Sequence, residues 1–442
     1  PFTFEPMLAG LETTPLRAYA HGVPRYYIQN FGSAVSHPDT NEYSWFAQDT
    51  IRITNRLALS LGLRYDLQTF STRGLITNPL WPDSGKVPID TNDFAPRVGL
   101  AYSVGNHRPL VIRAGYGLFY TRIPQIYTST VATDNGIASS NLFLDNSKFF
   151  DHQVFPTYPN PLVSCALNGM YCAPSAAVAN RVTSDISAFA PNFRTPKVHQ
   201  ASLNLERELV DRFAAGLSYL YVHGVDLIRA RDVNLPPPAR EPYPVYDESG
   251  TNFLGTYYNV DTFSTWQFSR SLTCPFPPCI NPLARPVPQL GAINQFESAA
   301  SSLYHGLTVS VRRRMVSGVY FRLAYTWARA VDDGQDALVA GRPVTVQNSY
   351  STHSERGPSV TDQRHRFVFS WIAEPRPFSR THDVLGTLFN DWKFSGVVMV
   401  GSGRPVNARV IGDPNQDDNS GNDRFPGLWR NSRLVRIMPA RI

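Results

Sequence analysis

Six arginines occupy polar positions in segments where apolar and polar residues alternate, and these side chains are the ones best suited to binding chemistry. They are Arg52, Arg64, Arg97, Arg113, Arg312 and Arg322. A guanidinium group forms bidentate hydrogen bonds with carboxylates and phosphates. Because alternate residues of a strand share one face, the pattern predicts a basic, water-facing surface that can contact carboxylates or an anionic solute.

Four cysteines form two close pairs in segments with the composition of loops. Cys165 and Cys172 make one pair, and Cys274 and Cys279, which lie among prolines, make the other. An even number of cysteines in local pairs is typical of small disulfides that close loops in an oxidising compartment. Two alternatives stay open: free thiols, or a metal site with ligands from loops about 100 residues apart.

Three carboxylates that follow a predicted strand are a candidate for acid–base chemistry. Asp332, Asp333 and Asp336 are close enough in sequence to act as paired carboxylates. A solvated loop is the simpler interpretation, and it is favoured.

Oxygen-bearing side chains at alternate positions near the C-terminus resemble a calcium loop. They are Asp413, Asn415, Asp417 and Asn419. Such a loop needs a glycine at its sixth position, where Asp418 stands, and a bidentate glutamate at its end, which is missing. A polar surface loop is therefore favoured over a calcium site.

Neither a catalytic motif nor a cofactor motif is present. The sequence has no HExxH, G-x-S-x-G, phosphate-binding glycine loop or two-cysteine zinc repeat. Histidines such as His199 and His305 are isolated, which is typical of strand or interface residues rather than ligands. The formal charge of +6 over 442 residues includes no basic run suited to nucleic acid. The sequence predicts that the chain is not an enzyme.

The elements that carry these residues are long strands with one apolar and one polar face. In the clearest example, leucines and a tyrosine at 57, 59, 61, 63, 65 and 67 alternate with small or polar residues. One face could meet lipid and the other water, as the wall of a transmembrane β-barrel requires. About eleven such strands are predicted, at 24–33, 43–54, 57–68, 94–104, 110–123, 198–209, 213–228, 303–315, 319–330, 364–373 and 392–402.

The connections between these strands alternate between short and long. Tight turns at 55–56, 105–109, 210–212 and 316–318 alternate with loops of about 25 residues or more. Outer-membrane barrels have short periplasmic turns and long extracellular loops. The alternation of short turns and long loops therefore predicts an all-β transmembrane antiparallel barrel; a soluble sandwich or solenoid is the alternative.

The sequences of the strands resemble those of TonB-dependent outer-membrane receptors, and most fully those of the Oar-like subgroup. The segments that carry the resemblance are 42–49 with 61–66, 94–102, 113–120, 302–307, 324–327, 362–367, and 401–405 with the Asn/Asp loop that follows it up to residue 424. The resemblance covers about 24–427, which defines a partial barrel domain between an N-terminal segment, 1–23, and an irregular tail, 428–442.

The resemblance implies a 22-stranded barrel that holds a plug, of which this chain supplies roughly half the wall as a fragment. It also implies a Gram-negative outer-membrane location, partners in outer-membrane lipid and the TonB complex, and transport of a large extracellular solute. The six arginines would then face the lumen and contact plug carboxylates or the solute. Alternatives are a passive porin-like channel or a surface adhesion protein on the same wall, and a soluble secreted β-rich binding module.

Overall fold

The computed structural model shows a chain built mainly from antiparallel strands. It describes residues 2–3, 15–22, 24, 26–32, 35–137, 139–145, 184–210, 212–246, 253–263, 285–334, 338–339, 342–376, 388, 390, 392–406, 415 and 417. Within these residues, no helix is long and apolar enough to cross a bilayer.

The described elements are short helices and strands of very different length. The helices are α1 (Pro15–Ala20), α2 (Gln125–Thr133) and a 3-10 helix at Thr352–Glu355. The strands are β1 (Phe2–Thr3), β2 (Tyr26–Gly32), β3 (Thr40–Thr54), β4 (Leu57–Phe70), β5 (Phe94–Val104), β6 (Leu110–Tyr120), β7 (Ser139–Asp145), β8 (Ser184–Phe189), β9 (Lys197–Val210), β10 (Phe213–Asp232), β11 (Ala239–Tyr246), β12 (Phe253–Thr262), β13 (Leu290–Val316), β14 (Val319–Asp332), β15 (Leu338–Val339), β16 (Arg342–Pro343), β17 (Gly357–Pro358), β18 (His365–Ala373) and β19 (Phe394–Gly401).

Ten of these strands form one antiparallel sheet, here called the wall. Their spatial order is β3, β4, β5, β6, β9, β10, β13, β14, β18 and β19. The short strands β8 and β17 pair with β13 and β14, which brings the sheet to twelve strands. Each of the ten strands is antiparallel to its neighbours, which confirms the predicted antiparallel wall. In the described residues the sheet is open, with β3 and β19 as its outer strands.

One predicted strand lies outside the wall. The segment predicted at 24–33 forms β2, which pairs with β1 and β7 in a separate sheet of three strands. β2 has 7 residues, and a tilted strand needs about 9–11 to span a bilayer. Its adjacent Tyr26 and Tyr27 also break the two-residue period. The other ten predicted strands are the ten strands of the wall.

The long connections, predicted as loops, contain secondary structure. The segment after β6 holds α2, β7 and β8, and the segment after β10 holds the β11–β12 hairpin. β10 and β13 continue well beyond their predicted ends, to Asp232 and back to Leu290. These extensions carry the β-structure past the long-loop end of the wall.

The pairing register gives the wall one continuous apolar face, here called the outward face. Leu61 pairs with Val98, and along the ladder Leu205 pairs with Leu217, which pairs with Val309. These apolar side chains remain 40–49% exposed across the sheet; they are Leu61, Leu63, Val98, Leu203, Leu217 and Val309. A contiguous apolar surface of this extent needs an apolar environment.

The opposite, inward face carries small and polar residues. Thr50 pairs with Ser60, Ser60 with Gly99, and Gly99 with Gly115. At the turn end of the wall, Ser317 and Gly318 both have positive φ, 50° and 71°, which is the backbone of the two-residue hairpin turn that fits twisted strands. The tight turn between β13 and β14 is thus built into the sequence Ser-Gly.

A packed layer, here called the loop layer, covers the long-loop end of the wall. It consists of the segments 71–93, 121–137, 184–196, 229–235 and 285–301. Its main cluster contains Phe189, Phe193 and Phe296 with Ile123, Val131 and Ala230, and Phe70 packs against it. A second cluster joins Ile186, Leu290 and Ile293. Because Phe70 is an inward residue of β4, this layer lies on the inward side.

Candidate functional site

The register places the six candidate arginines on the inward face. Arg52 pairs with Ala58, Ala58 with Ala101, and Ala101 with Arg113, so Arg52 and Arg113 belong to one row. Arg312 pairs directly with Arg322 on the neighbouring strand. Arg64 and Arg97 occupy rows of the same parity, opposite Ala95 and Gly62. The face opposite the leucines therefore carries the arginines.

Arg64 is held by a carboxylate on its own strand. Its Nε donates to both carboxylate oxygens of Asp66 at 2.9 Å, and its Nη2 donates to Ser44 Oγ at 2.7 Å. Ser44 in turn donates to Asp66 at 2.6 Å. This closed triangle fixes the guanidinium close to the wall and leaves it locally neutralised.

Arg113 and Arg312 share a single carboxylate. Glu206 on β9 accepts from Arg312 Nη2 at 2.5 Å, and its other oxygen lies 3.7 Å from Arg113 Nη1. Arg312 reaches Glu206 across β10, where Gly216 is opposite both Glu206 and Ser310. A Cβ at Gly216 would lie 2.8 Å from Ser310 Oγ, so glycine keeps this crossing open.

The remaining arginines of the set have different surroundings. The guanidinium of Arg97 lies 4.6 Å from the centroid of the Phe119 ring, in a cation–π contact. Arg52 and Arg322 have exposed side chains. Among the described residues, the six arginines thus contact two carboxylates, Asp66 and Glu206, and the face they form is basic.

In the loop layer, one carboxylate holds two arginines of β10. Glu297 Oε1 accepts from Arg229 Nε and Nη2 at 3.1 and 2.8 Å, and its Oε2 accepts from Arg231 Nε at 3.1 Å. Arg231 also donates to the carbonyl of Ser349 at 3.2 Å. The β10–β13 extension is therefore tied to a third segment of the chain, around Ser349.

A buried polar network closes the same extension. Arg285 Nη1 donates to Asp232 at 2.9 Å, and each side chain is 6% exposed. Asp232 also accepts from the backbone amides of Asn234 and Ile293, at 2.8 and 3.0 Å. Buried charges are stable only when paired and hydrogen-bonded in this way. The network fixes the geometry of the loop layer.

Asn234 is the centre of this network. The two hydrogens of its side-chain NH2 group are shared among the carbonyls of Val287, Leu290 and Gly291, which lie 3.0, 3.1 and 2.7 Å from Nδ2. Its Oδ1 accepts from the Val287 amide at 2.7 Å. One side chain thereby links the start of β13 to the segment that precedes it.

A second carboxylate in the loop layer, that of Asp93, is buried and forms no ion pair among the described residues. Burial raises the pKa of Asp93 to about 6, and the charges of Asp90 and Asp66 add to that rise, whereas a hydrogen bond from Thr195 and the charge of Lys197 oppose it. The side chain is 2% exposed, and its Oδ1 has no hydrogen-bond partner among the described residues. The pKa of Asp93 is therefore about 6, well above the usual value of an aspartate.

The other sequence candidates have structural contacts or lie outside the described residues. Asp333 accepts hydrogen bonds from the amide and hydroxyl of Ser301. Asp332 pairs with Ser302 in the sheet. Asn415 donates to the carbonyl of Gln347 at 2.8 Å, and Asp417 N donates to Asn415 Oδ1 at 3.3 Å. The residues outside the described part are Cys165, Cys172, Cys274, Cys279, Asp336, Asp413 and Asn419.

The two histidines singled out in the sequence belong to side-chain pairs on the outward face. His199 Nδ1 is hydrogen-bonded to the Tyr116 hydroxyl at 2.8 Å, and His305 Nδ1 to the Tyr219 hydroxyl at 2.7 Å. Sequence reasoning missed the tyrosine partners. The signal was available, since each tyrosine is the seventh residue of the strand that follows a tight turn.

The chain belongs to the outer membrane beta barrel domain family, whose model matches residues 2–435. It is accordingly a protein of the outer membrane of Gram-negative bacteria, and the alternative of a soluble secreted module is excluded. A comparison with the curated proteins found no match.

Solved structures that are similar to this chain are outer-membrane transporters and receptors. The outer membrane transporter YddB from Escherichia coli is 11% identical, with a TM-score of 0.44 over 86% of this chain and 35% of that one. The FrpB iron transporter from Neisseria meningitidis is 12% identical, with a TM-score of 0.39 over 77% and 32%. The siderophore receptor PirA from Pseudomonas aeruginosa is 10% identical, with a TM-score of 0.34 over 77% and 38%. The chain spans about a third of the length of these structures.

Proposed function

We propose that this chain is part of the barrel wall of a TonB-dependent outer-membrane transporter of the Oar-like subgroup. In this proposal the full-length protein binds a large solute outside the cell and moves it across the outer membrane. The wall performs no catalysis, so the protein is not an enzyme. The energy for transport comes from the TonB complex, which acts through a plug inside the barrel.

The observation that carries the proposal is the shared carboxylate on the inward face. Glu206 serves both Arg113 and Arg312, so this part of the face keeps an excess of positive charge. A charge that faces a lumen gains stability from an opposite charge held close to it. The carboxylates of a plug supply that charge permanently, and an anionic solute supplies it during passage.

The loop layer supports the capture of a ligand outside the cell. Long loops carry function when a rigid scaffold positions them. Here the scaffold extends into the loops themselves, since Glu297 joins β13 to Arg229 of β10 and Asp232 holds Arg285, which precedes β13. A surface fixed in this way is preorganised, which reduces the entropy lost on binding.

The test uses the full-length protein, purified in detergent, and has two readouts. The first is binding to the purified C-terminal domain of TonB; the second is conductance in a planar bilayer in potassium chloride. A TonB-dependent transporter binds the TonB domain and gives no steady conductance. Steady conductance without TonB binding would show a passive porin-like channel, and neither property would favour the adhesion protein.

The basic face is tested by an exchange of charge within the same protein. Replacing Arg113 and Arg312 together by glutamine leaves Glu206 without these two cations, so the group changes from a net positive to a net negative charge, and we expect weaker retention of the plug in the closed barrel. Such a variant should show brief channel openings in the bilayer. The matched control is Arg64→Gln/Asp66→Asn, because Arg64 and Asp66 neutralise each other, so this double change leaves the net charge of the face unaltered and should leave the barrel closed.

A further inference from the structure

Three tyrosine–histidine pairs recur on the outward face of the wall. Besides Tyr116–His199 and Tyr219–His305, the hydroxyl of Tyr325 is hydrogen-bonded to Nδ1 of His365 at 2.7 Å. In each pair the tyrosine belongs to the strand after a tight turn and the histidine to the next strand of the wall. We call these three pairs the Tyr–His belt.

The geometry of the three pairs is the same. Tyr116 is opposite Ala201, Tyr219 opposite Leu307, and Tyr325 opposite Phe367 in the register. In each case the histidine lies two residues before that opposite residue, on the same face. The diagonal neighbours of an antiparallel pair are within reach of aromatic side chains, so one cross-strand contact is repeated three times.

The pairs lie at one height around the wall. Each tyrosine is the seventh residue of its strand, counted from Leu110, Phe213 and Val319. With a rise of about 3.4 Å per residue and a tilt of about 40°, the tyrosines lie about 15–20 Å above the turns. The histidines are opposite Leu118, Tyr221 and Trp327, the ninth residues of the same strands, and so lie about 5 Å higher. The apolar band of an outer-membrane barrel is about 25 Å tall, so the histidines lie close to its extracellular edge, next to the headgroups.

The chemistry of the belt goes beyond that of an aromatic girdle. Because the tyrosine hydroxyl occupies Nδ1, the second ring nitrogen, Nε2, lies on the far side of the imidazole, where it can donate to an acceptor. His223 is directly opposite His199 in the register and extends the belt by one ring. Their ring centroids are 6.2 Å apart.

Cations accompany the belt on the outward face. Arg329 has an exposed side chain and is directly opposite His305 in the register. Lys197 lies two residues before His199, but its charge is balanced by Asp226 at 2.8 Å, so Arg329 is the cation available to a ligand in the described part of the wall. A row of N–H donors with a cation beside it is complementary to a phosphate monoester.

We propose that the Tyr–His belt binds the phosphate groups of the glycolipid in the outer leaflet. Each histidine donates through Nε2 to a phosphate oxygen, and the paired tyrosine holds the ring in the orientation that this contact needs. Arg329 supplies charge next to the middle pair. The site is therefore a set of lipid-phosphate contacts along the headgroup boundary.

The experiment measures retention of lipid by the full-length protein in detergent, using native mass spectrometry. The probe is lipid A with its phosphates, and the comparison probe is the same lipid with the phosphates removed. The variant His199→Phe/His305→Phe/His365→Phe keeps three rings of similar size and loses the Nε2 donors. We expect it to bind phosphorylated lipid A roughly tenfold more weakly, and dephosphorylated lipid A as well as the unaltered protein does.

Two further variants keep the proposal open to refutation. His107→Phe makes the same change in the tight turn at the other end of the wall and should not alter binding. If the triple variant does not fold, Tyr116→Phe/Tyr219→Phe/Tyr325→Phe removes the three hydroxyls and should weaken binding of phosphorylated lipid A severalfold. Equal binding of both lipids by the unaltered protein, or undiminished binding by folded variants, would show a simple aromatic girdle.

Discussion

The buried ion pair of the loop layer allows a quantitative test of how this layer is held. Replacing Arg285 by methionine keeps most of the side-chain volume and removes the charge. Arg285 donates to Asp232 at 2.9 Å and to the carbonyl of Asn234 at 3.3 Å. Without these contacts the Asp232 carboxylate stays buried with no cation beside it.

The expected cost follows from the burial of both groups. Removing one partner of a buried ion pair costs about 3–5 kcal/mol, because the other charge is left uncompensated. Asp232 keeps two backbone donors, the amides of Asn234 and Ile293, so we expect the lower end, about 3 kcal/mol. Replacing Asp232 by asparagine in the same variant removes the orphaned charge, and we expect most of the loss to be recovered.

Hydrogen exchange in the full-length protein measures this cost locally. The amide of Ile293 is the reporter, because it donates to Asp232 itself. A local destabilisation of about 3 kcal/mol corresponds to exchange about 150-fold faster at that amide. Amides in the centre of the wall, which open with the whole barrel, should keep their rates.

The matched control is Arg240→Met. Arg240 has a side chain that is 74% exposed and lies 3.5 Å from Asp261, and an exposed pair of this kind contributes about 0–1 kcal/mol. An Arg285→Met protein that exchanges at Ile293 no faster than the Arg240→Met protein would refute the reasoning. The loop layer would then be held by apolar packing alone.

Three more predictions follow from single side chains. Asn234→Asp should destabilise the loop layer by about 1–2 kcal/mol more than Asn234→Ala does, because it places a carboxylate against three carbonyls. The rate of hydrogen exchange at the Val287 amide tests this, and slower exchange in the Asp variant than in the Ala variant would contradict it. Asp93 has a folded-state pKa of about 6, above the usual value of about 3.9, so it destabilises the folded state progressively as pH rises from about 4 to about 6. Asp93→Asn should therefore raise the free energy of unfolding above pH 6 by about 2 kcal/mol and make that free energy depend less on pH between pH 4 and 6. An unchanged pH dependence would argue against a buried acid at this position. Leu61→Arg, on the outward face, should make the free energy of folding into a bilayer less favourable by about 2–4 kcal/mol, whereas Ser60→Arg, on the inward face, should change it far less. Refolding titrations in bilayers measure both values, and a larger loss for Ser60→Arg would mean that the two faces are assigned the wrong way round.

The wall could be predicted from sequence because its two faces meet different solvents. Lipid on one side and water on the other impose a strict two-residue period, and β4 shows it from Leu57 to Gln68. The ends of the strands were predicted accurately where the chain leaves the membrane at the end of the strand. The turn between β13 and β14, at Ser317 and Gly318, was placed correctly for this reason.

The extension of β13 could not be predicted because that contrast is lost outside the membrane. Between Leu290 and Ser301 the strand is covered by other segments on both sides, and Ile293, Phe296 and Ala300 are at most 1% exposed. A strand buried on both faces has no alternation to detect. Residues 290–301 were therefore predicted as part of a loop, although their backbone continues the sheet.

The basic face could be predicted residue by residue, but its pairing could not. Alternation alone places Arg113 and Arg312 on the polar side of their strands. Their common partner, Glu206, lies on a third strand, and the contact depends on the register of β9 and β10 and on the gap left by Gly216. Register across long loops is a property of the folded sheet and leaves no local signal.

The two ends of the molecule are stabilised by different means, and this bears on how a binding specificity can change. The wall depends on apolar residues that any lipid-facing strand can use, and a substitution of Leu61 by valine or isoleucine changes little of that free energy. The loop layer depends on particular partners, since Asn234 and Glu297 each satisfy several groups at once. A ligand site built next to such partners can vary at its exposed positions only while the buried network stays intact. For the proposed transporter, we therefore expect that the residues that select the solute surround Asp232, Asn234 and Glu297 and do not replace them.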